Sequence, residues 1–287
     1  MMLVFLTIMA FNFESGILRL EKKDSFYITR LLDSVYIYDD TLQIRGMYGT
    51  YNEEENLLFV GGKVSFKTPG ITVLSDSLLL RSNGNIILFM GNCEIVKDQK
   101  DTLWGNVIRV MKDTFYGTYN IKGHFVSRNL YFFSDTLISY DSVYILKGDT
   151  VRIKKETRDT LKLWSRYIII SKDTVYSNVR TFIRTGKYTV FGDTFFYYDA
   201  DSEGMFSGDV VINWDSGTAR ADTGIFYLKG EKLDSIILKG RCNLMRRGKD
   251  NDIKLDASLF RIFFVNDSLH ELVAEESNGV LRSKNNE

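Results

Sequence analysis

Cysteine, histidine and proline are nearly missing from this chain: two, two and one in 287 residues. Two cysteines cannot build a disulfide framework, and with two histidines they leave little for a structural zinc site. Charge of one sign is missing too. Lysine plus arginine and aspartate plus glutamate number 37 each, so the electrostatic footprint of a nucleic-acid binder is absent and no such partner is expected. Long apolar runs are lacking after Phe13, where none approaches the ~20 residues that cross a bilayer as a helix. Met1 to Phe13 holds no charge and only Thr7 and Asn12 as polar residues. That run is too short to span and suits the apolar core of an export signal, although no Lys or Arg precedes it and no clean small-x-small site follows. The reading is a signal peptide over 1–15, no lipoprotein anchor (no cysteine lies near residue 20), and a soluble mature protein.

What is abundant points one way. Tyrosine (16), phenylalanine (20) and glycine (22) with almost no proline predict strand after strand of β-sheet. Of the 24 aspartates, seventeen are followed directly by Ser or Thr, among them Asp76, Asp135, Asp193, Asp222 and Asp234. A short acceptor beside a hydroxyl bonds its own backbone, so these pairs are read as turns and strand starts. They are not read as metal ligands, since no cluster has calcium-loop spacing. Between them lie β-branched or aromatic segments such as Val143–Leu146, Tyr167–Ile170, Thr194–Tyr198 and Ser235–Leu238.

A second repeat overlies the first. Glycine stands two places before an apolar residue at Gly62-Lys63-Val64, Gly91-Asn92-Cys93, Gly123-His124-Phe125, Gly208-Asp209-Val210 and Gly240-Arg241-Cys242. The implied period near 30 residues is that of a stacked architecture. With no proline- or serine-rich linker, the expectation is one repeated β-domain over 61–280, loosely matching strands over 16–60 and a polar tail over 281–287. The fold class is all-β: an elongated, solenoid-like stack of short antiparallel strands.

The best copy of the repeat is Gly192-Asp193, Tyr197-Tyr198-Asp199, Ser207-Gly208-Asp209-Val210-Val211-Ile212, Arg220-Ala221-Asp222, Ile225-Phe226-Tyr227 and Ile236 to Gly240. In that order it resembles the OstA-like family, the β-jellyroll module of the lipopolysaccharide transport proteins LptA, LptC and the periplasmic part of LptD. Weaker copies begin at Ser75-Asp76 with Gly91-Asn92 and at Ser134-Asp135 with Tyr140-Asp141. The stretch Leu272 to Val280 resembles the family's closing turn, which favours strand over the helix that an N-cap at Asp267 with Leu269, Leu272 and Val273 would suggest. Cys93 and Cys242 stand where the family usually has valine, and Asp149 to Asn178 departs from its pattern.

The resemblance implies a non-enzymatic periplasmic protein of outer-membrane assembly, in the periplasm or at the outer membrane. It would bind lipopolysaccharide or another acyl lipid without a cofactor and join other OstA-like components, or itself head-to-tail, through edge strands. Alternation across strands puts Val64 with Phe66, Cys93 with Ile95, Val210 with Ile212, and Cys242 with Leu244 on one face. With Leu78, Leu80, Phe125, Phe195, Tyr197 and Phe226 these are the lipid-groove candidates. Each methylene moved from water into such a groove is worth roughly 0.8 kcal/mol. The same residues equally describe a packed core.

Other chemistry has little support. His124 and His270 have no partner at ligand spacing, and no Ser-His-Asp set, phosphate loop or H-E-x-x-H motif occurs, so no catalytic or metal residues are assigned. Arg246, Arg247 and Lys249 crowd a hairpin tip with Gly248, read as solvated or as a contact for lipid phosphates. Glu53-Glu54-Glu55 reads as a solvated loop. If each repeat adds one layer of about 4.8 Å, five layers place Cys93 and Cys242 roughly 24 Å apart, beyond the ~7 Å reach of a disulfide; two buried free thiols are expected. The competing readings are a structural or adhesive β-solenoid without lipid cargo and a β-helix enzyme acting on polysaccharide.

Overall fold

The computed structural model describes 12–23, 26–81, 86–98, 100–111, 114–155, 161–198, 201–229, 232–248, 251–265 and 268–283. The chain falls into two compact units, Met1–Tyr144 and Ile145–Glu287, with the boundary inside the stretch read as a continuous repeat. Among the described residues there is no α-helix, only a short 3₁₀ turn at Val126–Arg128, and no helix is long and apolar enough to cross a membrane. Most of the signal-peptide reading and part of the polar tail lie outside the described residues.

The first unit contains β1 (Asn12–Glu14), β2 (Ile17–Lys23), β3 (Phe26–Tyr38), β4 (Gln43–Asn52), β5 (Leu57–Thr68), β6 (Ile71–Arg81), β7 (Ile86–Lys97), β8 (Asp101–Met111), β9 (Thr114–Phe125) and β10 (Leu130–Tyr140). From β3 to β10 each strand pairs antiparallel with the next, and β1 and β2 both pair with β3. After β11 (Val143–Lys155), which runs across the unit boundary, the second unit continues through β12 (Leu161–Ile170), β13 (Thr174–Ser177), β14 (Thr181–Thr185), β15 (Tyr188–Gly192), β16 (Thr194–Tyr198), β17 (Glu203–Trp214), β18 (Gly217–Lys229), β19 (Lys232–Arg247), β20 (Asn251–Val265), β21 (Ser268–Glu275) and β22 (Asn278–Ser283). Strands β12 to β22 pair antiparallel, with β17 to β20 as a meander. The closing segment is strand, as the repeat pattern favoured over a helix.

Strands of the first unit run longer than the four- or five-residue segments visible in the sequence, because each crosses a corner. On β5 the buried side chains are Leu58 and Val60, then Val64 and Phe66, a step of four at the middle. On β6 they are Ile71, Val73 and Ser75, then Leu78 and Leu80, a step of three. The extra residue forms a bulge, with the register shifting between Gly61 and Val64. The same shift recurs on β3, β7, β9, β17 and β19. Left-handed doublets mark these places: Asp33-Ser34, Gly62-Lys63, Gly91-Asn92, Tyr119-Asn120 and Gly208-Asp209; at Gly240 the glycine alone has positive φ. In the first unit they recur every 28 or 29 residues.

Some connections replace the bulge by a break. β15 and β16 pair with opposite halves of β17, and β21 and β22 with opposite halves of β20. The bend brings the two half-sheets of each unit face to face. Phe66, on the second half of β5, meets Phe89, on the first half of β7, at 5.2 Å edge-on. In the second unit Tyr188 of β15 meets Phe264 of β20 at 4.6 Å. Packing apolar faces across such a corner is how one antiparallel meander makes a two-layered core.

Two sequence readings need correction. Asp76, Asp135 and Asp222 are not at turns; they sit inside β6, β10 and β18, at the corner. Asp222 Oδ2 accepts the backbone N–H of Arg241 at 3.0 Å, and its Oδ1 accepts the Arg241 guanidinium at 3.1 Å. That backbone hydrogen bond, with the guanidinium, holds the Asp222 carboxyl below the usual range. Asp76 Oδ2 accepts from Asn92 Nδ2 at 2.9 Å. Aspartate and bulge glycine are therefore two halves of one device, a carboxylate on one strand covering the bulge of the next. Gly123 does not belong to the glycine series: the bulge of β9 is at Tyr119-Asn120, and the fully buried apolar residue after it is Ile121.

Candidate functional site

All fourteen groove candidates point inward and are buried, none more than 8% exposed. In the first unit these are Val64, Phe66, Leu78, Leu80, Cys93, Ile95 and Phe125. Phe195, Tyr197, Val210, Ile212, Phe226, Cys242 and Leu244 do the same in the second. They are filled in by neighbours: Phe195 lies 5.0 Å from Phe206, and Phe226 stacks at 6.3 Å on both Phe195 and Tyr197.

Two of them, Ile95 and Phe125, also line a recess of about 70 Å³ in the first unit. This is well above the ~10–15 Å³ that admits one water molecule. It lies away from the corner, where the ends of the half-sheets part: Ile71, Ile95 and Leu103 come from one half, Phe115 and Ser139 from the other. Phe125 packs at 5.2 Å on Phe132 and at 4.5 Å on Tyr144, so its floor is aromatic. Burial, and then the Asp101 carboxylate, pushes the Tyr144 phenol above its usual range, against a hydrogen bond with Ser139. It therefore stays neutral. Asp101 Oδ1 accepts the Val126 N–H at 3.0 Å, fixing the start of β8 against the turn that ends β9. The recess is thus apolar inside, with Lys97, Asp101 and Asp141 among its lining residues. It can take the end of a hydrocarbon chain.

No family model matches the sequence, and no curated protein matches it. Nine chains of solved structures do, among them the crystal structure of LptH, the LptA-homologous periplasmic component of the lipopolysaccharide transport device from Pseudomonas aeruginosa. It is 11% identical, over 57% of this chain and 80% of that one, with a TM-score of 0.17. That score is too low to place this chain in its family.

Ile71, Leu103, Phe115, Phe132 and Tyr144 also line the recess and were not among the sequence candidates. Phe115 and Phe132 follow the alternation of β9 and β10, a signal that was present; their position at the open end is set by where the half-sheets diverge. His124 stacks on Tyr131 at 3.9 Å, and His270 is exposed on β21. Glu53, Glu54 and Glu55 form an exposed turn whose Glu54 and Glu55 N–H groups donate to Asn52 Oδ1. Arg246 and Arg247 end β19 exposed, while Lys249 lies outside the described residues.

Both thiols are free and buried, as expected. Burial is the main cause that pushes the Cys93 thiol up to about 11 and raises that of Cys242. A buried, protonated thiol is a poor nucleophile. Iodoacetamide at mildly alkaline pH is expected to leave both cysteines unmodified in the native protein and to alkylate both in guanidinium, read by intact mass. A native adduct would show that the interior opens to reagents.

Proposed function

We propose that the protein is a non-enzymatic, lipid-shielding β-roll of the periplasm that receives an acyl chain of lipopolysaccharide or a similar lipid. The observation that carries this reading is the apolar recess of the first unit, lined by Ile95, Leu103 and Phe125. The resemblance of the repeat to the OstA-like family supports it from the sequence side. An acyl end entering there exchanges water for aromatic and aliphatic walls, and each methylene so buried contributes about 0.8 kcal/mol.

The filled interior favours a second reading, an interaction protein without lipid cargo. Its edges suit that role: β2 pairs only with β3, and β21 and β22 only with β20, among the described pairings.

One titration separates the two. A dansyl-labelled undecanoic acid is expected to bind the wild-type chain saturably, with a blue-shifted emission. Leu103→Arg, at a half-buried wall of the recess, removes the burial of about two methylenes and should weaken binding about tenfold. Absence of uptake, or uptake indifferent to Leu103→Arg, sinks the lipid reading and leaves the interaction protein.

A further inference from the structure

A second recess, in the other unit, has different chemistry. Its volume is about 210 Å³, and it lies where the ends of several hairpins meet: Lys187 and Tyr188 from the β14–β15 connection, Trp214 to Ser216 from β17–β18, Arg246 from the end of β19. Leu269 of β21 supplies an apolar wall.

The groups around it are mostly donors. Asp215 is the one carboxylate, and Lys187 Nζ lies 3.4 Å from it. That pair leaves the charge of Arg246 unbalanced, for Arg246 makes no ion pair among the described residues. The indole N–H of Trp214 is buried with no hydrogen-bond partner. An unpartnered buried donor costs about 1–3 kcal/mol, so its persistence needs a reason. Pairing explains how these groups come together. Gly217 stands between Trp214 on β17 and Arg246 on β19 in one cross-strand row. With no side chain there, the indole lies over the glycine: a Cβ would come within 2.3 Å of its Cζ2 atom. The Arg247 N–H donates to the Ser216 carbonyl at 2.8 Å and holds the turn against the end of β19.

A guanidinium with no ion pair among the described residues, an ammonium and a hydroxyl around one recess, with an unpartnered indole N–H on a lining residue, ask for a ligand rich in acceptors. We propose that this recess binds a phosphate monoester, with Arg246 as its principal charge partner and Trp214 beside it. Guanidinium matches phosphate oxygens in paired hydrogen bonds, whereas a neutral ligand would leave its charge unanswered. The site is independent of the acyl recess and stands without it.

The test uses the full chain labelled with ¹⁵N. Its three tryptophans give three indole signals, and Trp214→Phe assigns the one of interest. Inorganic phosphate is expected to shift the Trp214 signal saturably and leave those of Trp104 and Trp164 in place. Arg246→Gln, an exposed substitution whose folding the remaining spectrum checks, should weaken the response about tenfold; Arg247→Gln, outside the recess, should not. No saturable shift, an equal shift with chloride at matched ionic strength, or an unchanged response in Arg246→Gln would overturn the site. Flotation with phosphatidylcholine vesicles, with and without phosphatidic acid, then names the source. Recruitment by phosphatidic acid that needs Arg246 assigns a lipid headgroup; phosphate binding without recruitment assigns a free phosphate ester.

Discussion

Phe206→Ala is expected to lower the unfolding free energy by about 3–5 kcal/mol. Phe206 on β17 is 0% exposed, with ring centroids 5.0 Å from Phe195 and 5.9 Å from Phe226. Gly192 leaves room for it, since a Cβ there would come within 2.7 Å of its ring. Truncation removes a ring that packs against at least two others and leaves a hole that the flanking strands, tied by their ladders, cannot close. Urea denaturation reads the change as a shifted midpoint at constant slope. Met205→Ala, next in the chain but 45% exposed, should stay within about 0.5 kcal/mol. The outcome bears on function as well as stability. A loss under about 1 kcal/mol would mean that the interior of the second unit adapts to missing volume, and hence is able to admit a hydrocarbon. The expected large loss instead means that the interior of the second unit does not yield to a hydrocarbon at Phe206.

Gly91→Ala should cost about 2–3 kcal/mol, more than a helix or loop glycine would. Two effects add. Gly91 has φ +72, where an alanine costs roughly 1–2 kcal/mol. A Cβ would also lie 2.3 Å from Asp76 Oδ2, displacing the carboxylate that accepts the Asn92 amide. A double-mutant cycle tests the coupling: in an Asp76→Ala background the carboxylate is gone and only the Asp76 Cβ contact at 2.9 Å stays, so Gly91→Ala should cost less than it does in the wild type. If the two substitutions are additive, carboxylate and bulge are not one device. The same pairing recurs at Gly208 with Asp193 and Gly240 with Asp222, so the result carries over to three corners.

Much of this was legible in advance. Composition alone excluded a zinc or disulfide scaffold and pointed to continuous sheet. The aspartate–hydroxyl pairs and glycine doublets were both visible as periodic, and the strand at Leu272 to Val280 was distinguishable from a helix by its place in the repeat. The buried state of Val64, Cys93, Val210 and Cys242 followed from alternation on either side of each bulge.

Local pattern could not say why the two repeats exist. Asp222 and Arg241 are nineteen residues apart, and only the pairing of β18 with β19 shows that one answers the other. Gly123 looked like its fellows because a glycine two places before an apolar residue is cheap to find; the left-handed doublet that makes a bulge was at Tyr119-Asn120, where no glycine marked it. Whether an inward row is core or groove was also beyond the chain's reach, because alternation specifies a face and not its distance from the face opposite. That distance depends on the bend at every corner together. Sequence determined that this protein is sheet, repetitive and apolar on one side. Tertiary packing decided that the side is filled, and placed the two recesses described above where strand ends part.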